Sequence, residues 1–325
     1  MATPRLGYLC LCENPSAEDG RALIRQFVLV READRMGYDD IWLGEHHHDR
    51  AWPSGAVTAL LGHLAAVTSK ARIGSMVLAP ATRDAFQLAE DVATIDLLSK
   101  GRFEFGVARG LAWAGSPNAA PADAVEARSR LRRAMALIQD LLAGQPVPGL
   151  AGVAPVTLVP TPAQQPLPVW VASGDESLLR HAAERGWGLM AAATHSRARV
   201  QRAVQIYTDA SGGRAPALVL ARFACTAPTR DEAVAIAQPY FDTFAARARA
   251  TGWGANRDRS IACDAQALLD ESLIGSHAEV AAQFKALADT CGASRVAIVP
   301  TSAQFDTHKH ILADFVDEVR PLFEE

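Results

Sequence analysis

Phe103-Glu104-Phe105-Gly106-Val107-Ala108, residues 103–108, is a short apolar run that ends on Arg109-Gly110 and lies between Ala-, Leu-, Glu- and Arg-rich segments at 86–98 and 122–142. A run of that length reads as a strand and its flanks as helices. Outward from it the alternation repeats. Strands are expected at 6–11, 40–44, 72–78, 169–172, 188–192, 218–225 and 295–299, with helices near 16–36, 56–68, 177–185, 196–210, 230–249, 277–290 and 304–323. Such alternation is the signature of a parallel sheet. Val169–Ala172 and 296–299 are continuously apolar, as strands buried on both faces should be. Eight units with right-handed crossovers close most simply into a (β/α)8 TIM barrel. The competing open sheet would want a glycine-rich turn after its first strand, and Cys12-Glu13-Asn14-Pro15 is not one. Residues 1–325 are read as a single barrel domain, with a long Pro/Gly-rich loop near 144–168 and a longer connection near 250–275.

Composition agrees with this reading. The 325 residues are 49% hydrophobic and 21% charged, which excludes a disordered or collagen-like chain. A net charge of −4 suggests neither nucleic acid nor an anionic membrane as partner. The N-terminus lacks the basic head and apolar stretch of a signal peptide, and no apolar run is long enough for a membrane span. Five cysteines without a C-x-x-C pair read as free thiols of a reducing compartment, so a cytoplasmic protein is expected.

In a barrel, chemistry collects at the C-terminal ends of the strands. After the second strand stands Glu45-His46-His47-His48-Asp49, and after the third Pro80-Ala81-Thr82-Arg83. The fourth ends on Arg109-Gly110-Leu111-Ala112-Trp113, the fifth on Ser173-Gly174-Asp175, the sixth on Thr194-His195 and the eighth on Thr301-Ser302. His46 and His48 have H-x-H spacing, but His195 is the one clear further ligand candidate, too few for a metal hydrolase. A neutral imidazole suits proton transfer instead, against the plainer reading of a solvated loop. Arg109 beside glycine suits a phosphate, and Ser173-Gly174 before a helix offers free N–H groups to the same anion. The plainer reading there is a surface ion pair and an ordinary helix cap. The residues by themselves stop at a barrel enzyme with an anionic cofactor or substrate, assisted by histidine.

Residues 37–47, Gly-Tyr-Asp-Asp-Ile-Trp-Leu-Gly-Glu-His-His, and 98–111, Leu-Ser-Lys-Gly-Arg-Phe-Glu-Phe-Gly-Val-Ala-Arg-Gly-Leu, resemble the second- and fourth-strand motifs of the bacterial luciferase-like flavin monooxygenases. Supporting stretches at 89–93, 168–172 and 275–280 follow in order. The resemblance implies a (β/α)8 barrel that uses reduced FMN, delivered by a separate flavin reductase, to activate O₂ and oxygenate a small organic, lipophilic substrate. It implies catalytic roles for His46 as general base and for Glu45 beside it. It implies flavin-phosphate contacts from Arg109, Arg130, Ser173, Gly174 and Ser177, with Leu111 following as in the family. Ser75-Met76-Val77 falls where the family has a cis non-proline peptide beside the flavin ring. Homodimerisation through the helices after strands two and three is implied as well, with Ala56, Val57, Leu60, Leu61, Leu64, Ala89, Val92, Ala93 and Ile95 available. Ala108 stands in place of the reactive cysteine of the luciferase α chain, and no light emission is expected. Two alternatives stay open: a deazaflavin-dependent oxidoreductase and a non-catalytic flavin-binding protein. Trp52, Trp113 and Leu111 are candidates for an apolar substrate pocket.

Overall fold

The computed structural model describes residues 3–110, 124–149, 154–250 and 263–324. Leu111 and Trp113 therefore lie outside the described residues. Among the described residues there are nine parallel strands: β1 Arg5–Cys10, β2 Asp40–Leu43, β3 Arg72–Ser75, β4 Phe103–Ala108, β5 Val169–Ala172, β6 Gly188–Ala191, β7 Leu218–Ala227, β8 Leu273–Ser276 and β9 Arg295–Pro300. β1 to β7 pair in sequence, β9 joins β7 to β1, and the ring closes. Its outer layer is formed by α1 Asp19–Met36, α2 Val57–Val67, α3 Ala85–Leu98, α4 Ala124–Leu142, α5 Glu176–Arg185, α6 Arg197–Ala210, α7 Arg230–Ala250, α8 Ala265–Glu271, α9 His277–Cys291, α10 Phe305–Asp314 and α11 Arg320–Glu324. This is the expected eight-stranded barrel.

Local chemistry sets the helix boundaries. Asp84, Asp175, Ser196 and Asp264 each accept a backbone N–H in the first turn of α3, α5, α6 and α8. Ser276 and Glu279 form a reciprocal capping box on α9. Gly37, Gly186 and Gly292 close α1, α5 and α9 in the left-handed conformation. The side-chain layers are packed just as tightly. A Cβ on Gly74 would sit 2.4 Å from Trp42 Cζ3, so glycine there makes room for the indole.

Two stretches depart from the sequence reading. The connection near 250–275 contains α8 and β8, which the apolar pattern did not separate from a loop. β7 is ten residues long and buried throughout. β9 pairs with Val219–Ala224, and β8 pairs with Ala224–Ala227 outside the closed ring. The long strand needed that second partner for its outer backbone groups. The closing helix, expected as one piece over 304–323, is α10, a π turn at Phe315–Val319 and α11. Pro321, which has no N–H to donate, follows the wider turn.

The N-terminal end of the barrel is plugged by paired charges. Arg295 reaches Asp40 and Glu104, both at 2.9 Å. Arg72 pairs with the same Glu104, whose second oxygen accepts from Trp170 Nε1 at 2.7 Å. Arg295 also lies over the Trp170 ring. This floor leaves the opposite end as the mouth.

Candidate active site

The strand register brings Arg109 and Ser173 together. Ala108 pairs with Ala172, so the next residues leave adjacent strands at the same level. Arg109 is half-buried, and among the described residues its guanidinium has no hydrogen bond or ion pair. Ser173 Oγ accepts from Asp175 N at 3.0 Å, which turns the chain into α5. The Arg199 guanidinium covers Gly174 so closely that a Cβ there would meet Nη2 at 2.1 Å. Ser173, Met190, His195 and Arg199 share one cleft.

Arg130 stands apart from this group and pairs with Glu126 on its own helix. Its neighbours reach the α5 N-terminus instead. Arg128 pairs with Asp175 at 3.2 Å, and Arg132 donates to Ser177 O at 2.7 Å and Ser177 Oγ at 3.0 Å. Positions 128 and 132 lie one turn apart on the face of α4 that meets α5, whereas 130 does not. Ser177 Oγ also donates to Asp175 at 2.8 Å, so the exposed hydroxyl is already engaged. Asp175 is held below the usual carboxylate range, mainly by hydrogen bonds from Ser177 and Leu178 working against its burial.

Beneath Arg109 and Ser173, β3 and β4 meet very closely. Ser75 is fully buried; its Oγ donates to Gly106 O at 2.8 Å and accepts from Gly106 N at 3.0 Å. A Cβ on Gly106 would lie 2.0 Å from Ser75 O. The Ser75 hydroxyl thus locks two strands, and what it leaves for a ligand is backbone. The Met76–Val77 peptide bond is cis, at the place the resemblance implied. β3 stops just before it, and Leu78 returns to pair with Val107.

On the other side of the mouth, the three histidines diverge. His46 packs its ring 5.0 Å from Trp52 and places Nδ1 3.4 Å from Ser54 Oγ. Burial lowers its pKa to about 4, so the imidazole is neutral at physiological pH. His47 turns away and meets Glu45 Oε1 at 2.5 Å. Glu45, 3% exposed, also accepts from Arg83 at 3.0 Å and Ala79 N at 3.1 Å. The carboxylate therefore ties the loop after β2 to the loop after β3. Its contacts make it a brace behind His46.

A wall of rings extends from His46. Trp52 lies 6.2 Å from Phe244, Phe244 lies 5.5 Å from Phe223, and Phe223 lies 5.8 Å from Tyr240. Tyr240 donates to Glu13 Oε1 at 2.6 Å. Arg247 pairs with Asp49 and covers Trp52 at 4.5 Å. Of these residues the sequence reading singled out Trp52. Glu13 stood at a strand end, but it lay in a stretch weighed for glycine content. Tyr240, Phe244 and Arg247 recur at i, i+4 and i+7, a spacing that marks one helix face without saying what it faces.

Among the described residues no group of His, Cys, Asp and Glu could hold a metal ion, and no helix is long and apolar enough to cross a membrane. Comparison with known proteins gives a match, over residues 4–294, to the family described as luciferase-like monooxygenase. The oxygenase component of a flavin-dependent trigonelline monooxygenase from Acinetobacter baylyi is 27% identical over 320 residues, which is 91% of this chain and 89% of that protein. Other curated relatives, alkanal monooxygenase alpha chains among them, match over about a quarter to a third of their own length. The oxygenating constituent of 3,6-diketocamphane monooxygenase from Pseudomonas putida, solved with FMN, superposes with a TM-score of 0.80 at 18% identity, over 99% of this chain and 98% of its own. An F420-dependent secondary alcohol dehydrogenase superposes with a TM-score of 0.75 at 17% identity, over 99% of both chains. At these identities the structural likeness concerns the fold.

Proposed function

The chain belongs to the luciferase-like monooxygenase family, and from that premise we propose that it is the oxygenase of a two-component system. It takes reduced FMN from a separate flavin reductase and uses O₂ to oxygenate a small lipophilic molecule. The observation that carries the reading is Arg109, a half-buried cation with no hydrogen bond or ion pair among the described residues, level with Ser173-Gly174 at the neighbouring strand end. A cation left unmatched beside backbone N–H groups fits a phosphate far better than it fits a surface role. Arg109, Ser173 and Gly174 would hold the flavin phosphate, and the backbone of Ser75 and Met76 would lie along the ring. When bound, reduced flavin supplies the electrons that activate O₂.

The protein's own part is proton handling and exclusion of water. His46, kept neutral by burial, can take or return a proton on the flavin side. Glu45 holds the loop that carries it. The half-buried rings of Trp52, Phe244 and Tyr240 present an apolar wall to a substrate. The test is a titration with reduced FMN, riboflavin and a deazaflavin. FMN should bind tightest, and loss of the phosphate should weaken binding at native Arg109 and not in Arg109→Ala. Tight deazaflavin binding with poor FMN binding would reassign the chemistry to hydride transfer.

We extend the proposal to a homodimer through α2 and α3. Val57, Leu61, Leu64, Ala89, Val92, Ala93 and Ile95 are already buried within the protomer. A dimer would therefore rest on Ala56, Leu60 and the exposed Leu97 and Leu98. Sedimentation at micromolar concentration should give a dimer; a monomer would end that part of the proposal.

A further inference from the structure

His46 is carried by a loop, and what packs on that loop decides where its ring sits. Residues 49–54 fold into close turns beside it. Asp49 Oδ1 accepts from Ala51 N at 3.0 Å, Asp49 O accepts from Trp52 N at 3.1 Å, and Trp52 O accepts from Ser54 N at 2.8 Å. These turns set the Trp52 ring 5.0 Å from the imidazole and the fully buried Ser54 hydroxyl 3.4 Å from Nδ1. The segment thus meets His46 through a ring and at one nitrogen.

The turns are held from two sides. Asn14, just after β1, donates from its backbone N to Ala51 O at 2.9 Å and from Nδ2 to Arg50 O at 3.0 Å. From α7, Arg247 pairs with Asp49 and places its guanidinium 4.5 Å over the Trp52 ring. One side chain therefore engages both the charge that closes the turn and the ring that rests on His46. Asp49 and Arg247 lie 198 residues apart, so the pair joins the seventh unit of the barrel to the second. Earlier on α7, Tyr240 is tied to Glu13 at the end of β1, which lays the helix across the neighbouring strand end.

We propose that Asp49 and Arg247 are positioning residues: their ion pair, with the guanidinium on Trp52, latches α7 onto the loop after β2 and keeps the His46 imidazole in its buried place. The proposal deepens the oxygenase reading and rests on it for the role of His46.

The protonation of His46 reports on the latch. Burial is the main cause that lowers its pKa to about 4. The charged and titratable groups that face it are Asp49 and Glu45, which favour the imidazolium, and Arg247 and His47, which oppose it. As a charge alone, Asp49 would lower the pKa of His46 when removed, and Arg247 would raise it. As halves of a latch, either one admits water to the ring when removed, and the pKa rises toward 6.5 in both cases. Asp49 therefore separates the two roles by sign.

NMR titration of the full chain labelled at histidine tests this without flavin, with His46→Ala to assign the signal. Asp49→Asn keeps an oxygen for Ala51 N and loses the charge; Arg247→Met keeps an apolar stem on Trp52 and loses the cation. Between about pH 8 and 5 the native His46 signal should hold still, as a pKa of about 4 requires. It should move over the same range in both variants, and the double variant should add little to either, as partners in one contact do. A signal that holds still in Asp49→Asn, whether or not it moves in Arg247→Met, overturns the proposal. If Arg247→Met does not fold, Asp49→Asn decides alone. Reduced FMN is titrated alongside the native protein: tight binding with a motionless His46 signal in Asp49→Asn fails this inference alone, whereas a signal that moves as expected in a protein that does not bind FMN fails the oxygenase reading.

Discussion

The two ends of the barrel handle charge in opposite ways. At the floor, Arg72, Arg295, Asp40, Glu104 and Trp170 bind one another through short contacts and each ion has a counter-ion, although Asp40 Oδ2 has no hydrogen-bond partner among the described residues. At the mouth, among the described residues, Arg109 has no hydrogen bond or ion pair, Glu13 keeps one carboxylate oxygen without a hydrogen bond, and His46 is neutral. Both ends are built from residues at strand termini, so geometry alone does not separate them. What separates them is ion pairing, complete at the floor and missing at Arg109 among the described residues. An unpaired cation at the mouth keeps its bonding capacity for an anion, the role the proposed flavin phosphate would fill.

The largest effect should come from removing the neutral base at the mouth. His46→Ala is expected to lower oxygenation by ~10²–10⁴-fold, the usual range for general acid–base catalysis, with flavin affinity nearly unchanged. Hydrogen peroxide released without product should rise. His47→Ala is the control, because His47 faces Glu45 and not the Trp52 wall. Steady-state turnover on a processed substrate decides it, and an essential His47 with a dispensable His46 would reverse the assignment.

The floor should respond in a different currency. Glu104→Gln removes the counter-ion shared by Arg72 and Arg295 and should cost about 3–5 kcal/mol of stability, as breaking buried pairs does. Urea unfolding measures the loss. Flavin affinity of the folded protein should hold, and a drop in affinity without a drop in stability would erase the distinction between the ends.

Arg109→Ala returns to the mouth. It is expected to weaken reduced FMN by ~2–4 kcal/mol, roughly 30- to 1000-fold, with riboflavin hardly affected. Stability should change little, because no hydrogen bond or ion pair among the described residues is lost. Equal losses for FMN and riboflavin would mean that Arg109 supports the ring or the fold.

The same contrast explains what the sequence made legible. Strand ends follow from alternation, so the barrel and the neighbourhood of His46, Arg109 and Ser173 could be read in advance. Arg130 and Ser177 show where that reading thins. Which of Arg128, Arg130 and Arg132 meets α5 depends on the rotation of α4, which three arginines in five residues do not encode. Glu45 looked chemical because it adjoins His46, and its three donors become visible once the loop after β3 folds back over it. Glu13 and Tyr240 lie 227 residues apart, and no local pattern joins them.

The smallest expected effect concerns how that last pair loads the fold with protons. An acid raised from 4.5 to about 7 binds more proton in the native state than in the unfolded state between those values. Native stability from Glu13 is thus fullest below pH ~4.5 and is lost as pH rises through 7. His308 acts the other way. Lowered from 6.5 to about 4, it favours the native state above pH 6.5, and its contribution is lost as pH falls toward 4. Over pH 4.5–6.5 the two slopes oppose each other, one proton against one. Glu13→Gln removes one side of that balance. Its stability relative to the native protein should rise by up to ~1.4 kcal/mol per pH unit from pH 5 to 6.5, a slope of one proton. Urea midpoints across that interval measure it. Parallel curves for the two proteins would mean that Glu13 does not change its protonation on folding.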